Sequence, residues 1–158
     1  MLTLTALSLA LAPAPTSPDR LPADSVLLQD FRETRHSLET IVAMAREERG
    51  VERISTEFVR LTRNMSPSDS ERRSRISDAR WAEYKHLFAV ARVQNGIGFS
   101  EGRVYFYKAD IGLASYGESK GFLWLADSTP PPADEADGSG FDKFRRIAAR
   151  WYLEHSRP

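Results

Sequence analysis

The chain has 158 residues, and its 22 lysines and arginines balance 22 aspartates and glutamates, leaving no net charge at neutral pH. That balance excludes a global field steering it to nucleic acid or acidic lipid. The absence of cysteine excludes disulfides, thiolate catalysis, cysteine metal sites and a lipid-modified cysteine.

Residues 1–18 form an apolar run that ends in small residues and prolines, too short for a bilayer span of about 20 residues. It reads as a secretory leader, with residues 13–23 as a Pro/Ala/Ser tether and 24–158 as a single domain. From Ser25 to Arg49 the spacing predicts one long helix. Leu27, Leu28, Phe31, Leu38, Ile41, Val42 and Ala45 form its apolar stripe, interrupted by Thr34 and Arg35. Asp24 is the expected N-cap and Gly50 the expected C′ residue. Val51–Thr62 is ambiguous, with extended chain favoured over Phe58–Thr62, and 63–75 reads as a polar loop rich in arginine. A second helix is expected over Asp78–Arg92, capped by Ser77, with Ile76 and Trp81 as a hydrophobic staple and Tyr84, Leu87, Phe88 and Ala91 completing the buried face.

After Val93 the period changes to two. Strands are expected at Ile97–Ser100, Arg103–Ala109, Leu113–Gly117 and Gly121–Ala126, and a last hairpin at Phe141–Ile147 and Trp151–His155. The 127–140 stretch, with three consecutive prolines, reads as a long loop. The expected fold class is α+β, two N-terminal helices packed on a C-terminal antiparallel sheet of about five to six strands.

The order Phe31…Thr34-Arg35…Leu38-Glu39, Trp81…Glu83-Tyr84, Gly98-Phe99-Ser100, Gly121-Phe122 and Trp151-Tyr152 resembles small exported bacterial proteins of uncharacterised function. The resemblance implies a periplasmic or secreted location and implies nothing about chemistry.

Gly117-Glu118-Ser119-Lys120-Gly121 matches a nucleophile-elbow pattern, but that device needs a helix after the serine, and an apolar strand pattern follows here. A glycine-rich hairpin turn is the expected reading. His36, His86 and His155 are too scattered for a metal site, and Glu101, Asp110 and Glu118 read as turn acids rather than a glycosidase pair. Gly96-Ile97-Gly98 lacks the spacing of a dinucleotide loop. Arginine outnumbers lysine, which occurs only at 85, 108, 120 and 143, and codon bias is the expected cause.

The strands carry the most information. Val104–Tyr107, Phe122–Leu125 and Trp151–Leu153 place large side chains on both faces, where a sheet with one wet face would alternate apolar with polar. Either both faces are covered, which the pattern favours, or one is an aromatic surface for a partner. The expected function is an exported, non-catalytic binding or protein-interaction domain, with Tyr105, Tyr107, Trp124, Tyr152, Arg72 and Arg73 as the binding residues. No cofactor, metal, nucleic acid or membrane span beyond the leader is expected. The alternatives are a small serine hydrolase using the Ser119 turn, and an inhibitor or immunity-type protein of a secreted effector.

Overall fold

The computed structural model describes residues 20–62, 76–100, 102–111, 117–131, 135–136 and 141–157, and only the backbone of 135, 136, 141 and 142. The expected leader, the 63–75 loop with Arg72 and Arg73, Glu101 and the Leu113–Tyr116 strand segment lie outside the described residues.

Helix α1 (Asp24–Ala45) buries Leu27, Phe31, Leu38, Ile41 and Val42 as the stripe predicts, and also Asp30 and Thr34. Thr34 does not interrupt the stripe, because its hydroxyl donates to the Asp30 carbonyl at 2.8 Å and needs no water. Ala23, not Asp24, occupies the N-cap, without a side-chain cap bond. Asp24 is taken instead by Lys120 at 2.8 Å and Arg145 at 3.1 Å. The helix ends at Ala45, before Gly50, and the next turn is tied by Arg80 to Glu47 and Glu48. The ambiguous stretch forms two strands, β1 (Val51–Ile54) and β2 (Val59–Leu61).

Helix α2 (Asp78–Val90) starts as expected, with the Ser77 hydroxyl accepting from the Arg80 amide. Trp81 is only half-buried. It packs on the core edge and donates its indole N–H to the Ser55 carbonyl at 2.9 Å, pinning α2 to the β1–β2 turn. Tyr84 and Phe88 enter the core, and burial beside Glu48 raises the Tyr84 phenol far above its ordinary range.

The remaining strands are β3 (Ile97–Ser100), β4 (Arg103–Ile111), β5 (Glu118–Leu125), β6 (Glu135–Ala136), β7 (Phe141–Ala148) and β8 (Trp151–Arg157). All eight join one antiparallel sheet in the order β2-β1-β3-β4-β5-β8-β7-β6. The α+β class stands, but two details of the expected fold do not. The sheet is larger than five or six strands, because β1 and β2 extend it beyond β3 and the two-residue β6 closes the other end. The helices are not an N-terminal pair either, since β1 and β2 come between them in the chain.

Both described helices lie on one face of this sheet. Phe31 of α1 meets Phe122 and Trp151 edge-on at 5.4 and 5.3 Å, and Tyr84 and Phe88 of α2 join the same cluster with Val104, Phe106, Trp124 and Leu153. The register explains the clustering: Val104, Trp124 and Trp151 form one cross-strand row, and Phe106, Phe122 and Leu153 the next. Gly121 permits the sheet to close here, because a β-carbon at that position would lie 1.9 Å from the Phe106 carbonyl oxygen.

Candidate functional site

Strand alternation divides the expected binding residues between the two faces. Trp124 belongs to the helix-covered face and is 6% exposed, with Arg46 and Arg150 over its ring at 5.8 and 5.5 Å. It is therefore a core residue. Tyr105, Tyr107 and Tyr152 share the opposite face, which no helix among the described residues covers, and all three are half-buried. The coverage expected for both faces is supplied by helices on one only.

The paired positions form a continuous row across seven strands of the helix-free face: Arg60, Arg53, Gly98, Tyr105, Leu123, Tyr152 and Arg146. Leu123, between the two tyrosines, is wholly buried, and Leu125 in the adjacent row is nearly so. Neither leucine belongs to the core cluster under the helices. Tyr107 lies across Gly98, where a β-carbon would be 2.7 Å from the phenolic oxygen. The Arg53 guanidinium sits 4.5 Å from the Tyr107 ring centroid and 5.7 Å from that of Phe58, and its Nη2 donates to the Asn95 carbonyl. Burial, reinforced by the nearby Glu154 carboxylate, raises the Tyr107 phenol above its ordinary value.

The cations of the sheet are also divided by face. On the covered side, Lys108 pairs with Asp30, Lys120 and Arg145 with Asp24, and Arg157 with Glu118. On the helix-free side, Arg53, Arg60, Arg103 and Arg146 form no ion pair with a described residue. Sequence reasoning missed these four, because attributing the arginines to codon bias gave no reason to place them. The signal was present in strand parity, since Arg103 shares a face with Tyr105 and Tyr107.

The Asp30–Lys108 pair is the other feature missed. Lys108 continues the inward alternation of Val104 and Phe106, and a bulge after Tyr107 adds Ala109 to the same face. The Lys108 ammonium donates to Asp30 and to the Ala91 carbonyl at 2.7 Å, and its third side faces the Phe122 ring at 5.5 Å. Burial lowers its pKa, opposed by Asp30. Arg92 then bridges Asp30 at 3.0 Å and Glu33 at 2.8 Å. These groups line a groove of about 930 Å³ beside the start of α1, walled by Leu21, Pro22, Val26 and Leu27. Its floor charges are already mutually satisfied, which is the signature of an ion pair that locks a helix to a sheet.

Ser119 is not in a turn. It lies inside β5, opposite Asp110 on one side and Ser156 on the other, so the elbow geometry of a strand followed by a helix is absent. His155 is paired with Lys120 and therefore faces away from Ser119; its Nε2 is 3.2 Å from Glu118. Asp110 and Glu118 likewise fall on opposite faces. His36 and His86 are exposed, and among the described residues no three His, Asp or Glu side chains are grouped to hold a metal ion. No described helix is long and apolar enough to cross a membrane.

No protein-family model, curated protein or solved structure matches this chain.

Proposed function

We propose that this chain is an exported, non-catalytic interaction domain that holds a protein partner against the helix-free face of its sheet. The observation that carries the reading is the alignment of Tyr105 and Tyr152 on either side of buried Leu123, with Tyr107 fixed under Arg53 beside them. Half-buried tyrosines combine a rigid apolar area with a polar tip at low entropic cost, which suits them to contact surfaces. The leader-like run at residues 1–18 supports export, and a periplasmic or secreted partner follows from it.

A photo-crosslinking side chain placed at position 152 tests the reading, with the same group at His86, exposed on α2, as the control. Crosslinks to a protein partner are expected from 152 and not from 86. With the crosslinking group kept at 152, adding Tyr105→Ser should remove capture while the far-ultraviolet circular dichroism stays native. Capture from 86 alone, or from neither position, would overturn it.

A further inference from the structure

We infer that the partner element seated on this face is an extended protein segment, lying across the strands, with acidic residues at both ends and apolar residues between; the inference rests on the reading just given. The row that crosses the face has Arg60 and Arg53 at one end, Arg146 at the other and Tyr105 and Tyr152 in the middle. Six inter-strand steps of about 4.8 Å separate its ends by about 29 Å, the length of about nine extended residues.

The charge balance of the face selects acids. Arg60 and Arg146 are exposed, and neither they nor Arg53 and Arg103 form an ion pair with a described residue. On the covered side of the same strands, Lys108, Lys120, Arg145 and Arg157 have carboxylate partners. Among the described side chains, the carboxylates on the helix-free side are Glu154, which is buried, and Asp110, which is exposed, accepts from Asn95 and lies near Arg53; neither belongs to the row. Within the row itself the charge is therefore cationic and sits at the two ends, while Arg103 and Asp110 lie beside it on β4. Arg53, stacked on Tyr107 and tied to the Asn95 carbonyl, is already held in place, so binding loses little entropy there.

The same arrangement argues against a single-stranded nucleic acid, although bases stack well on tyrosine. A polyphosphate backbone needs cations along its whole path. The middle of this row has none, and Glu154 lies in the row beside it.

Selection from a displayed library of random segments of about nine residues, against the folded domain, tests the inference. Recovered segments should be enriched in Asp and Glu at both ends over the input library. The joint change Arg60→Ser and Arg146→Ser, at two exposed positions, should lower recovery roughly tenfold, and lysine at both should restore it. An oligothymidylate assayed by fluorescence anisotropy should not bind. Segments without terminal acids, no recovered segments, recovery indifferent to the two arginines, or arginine-dependent oligothymidylate binding would each overturn the inference. If position 152 still crosslinks a protein in any of those cases, the interaction face stands and only its acidic ligand falls; if 152 captures nothing, both fall.

Discussion

On the covered face of the sheet, Phe31, Phe122 and Trp151 interlock, and Lys108, Lys120, Arg145 and Arg157 each reach a carboxylate. On the other face, Tyr105 and Tyr152 flank one buried leucine, and four arginines reach no described carboxylate. The contrast follows from solvation. Lys108 and Lys120 under α1 have lost most of their water, so each must find an anion or be neutralised. On the helix-free face water stabilises the exposed Arg60 and Arg146 guanidinium groups, so leaving them unpaired costs little. One face carries the packed core, and the other is the face proposed for contact.

Substitutions should separate the two. The largest effect is expected from Phe122→Ala, which empties a fully buried site between Phe31 and the sheet. It should cost about 3–5 kcal/mol in chemical denaturation, with the tyrosine face unaltered in crosslinking at any temperature where the domain is folded. Next comes Asp30→Ala, which strands the buried Lys108 ammonium and should cost about 3 kcal/mol. Adding Lys108→Met removes the stranded charge and should recover much of that loss. If Asp30→Ala is as mild as a surface change, the groove is open to water and the pair does not lock α1.

Acid titration sharpens the comparison further. Asp24, on the covered side, has its pKa lowered chiefly by its hydrogen bond from Lys120. Its folded pKa lies below the unfolded value, so its contribution is present above the ordinary value of 3.8 and is lost as pH falls through the folded pKa. Asp110 is raised by burial, so in the window above 3.8 the folded state binds the extra proton and stability falls as pH rises. Asp24→Asn should therefore weaken the domain at neutral pH and Asp110→Asn strengthen it, and both differences from the parent should shrink on acidification. Equal signs in pH-dependent melting would contradict the assignment.

The smallest effect is expected at Ser119. Inside β5, with His155 on the other face, it has no described histidine beside it. Ser119→Ala should change stability by less than about 0.5 kcal/mol, and a fluorophosphonate probe should label neither protein. Labelling that disappears in the variant would restore a hydrolase.

Much of this was legible from local pattern. The α1 stripe, the Ser77 cap, the change of period after Val93 and the shared parity of Tyr105 and Tyr107 all follow from side-chain geometry within one element. Asp30 and Lys108 were within reach too. Asp30 falls among Leu27, Phe31 and Thr34 on the stripe, and Lys108 continues the inward series of Val104 and Phe106. Two opposite charges at core positions announce a buried pair. Trp124 was misplaced because Phe122–Leu125 is apolar at every position, so alternation cannot say which side the helices take. Ser119 was misplaced because its flanking glycines imitate a turn, whereas Gly121 is needed for close backbone approach within the sheet. The arginine row was out of reach, since Arg53 and Arg60 join it only through the long-range pairing of β1 with β3.

Native-state nitration of tyrosines, read by peptide mass spectrometry, tests the division of the sheet most directly. Tyr105 and Tyr152 should be modified in the folded protein, while Tyr84, fully buried on the inner side of α2, stays unmodified until the chain unfolds. Modification of Tyr84 as fast as Tyr105 and Tyr152, or protection of all three, would contradict a sheet with one covered face and one open face.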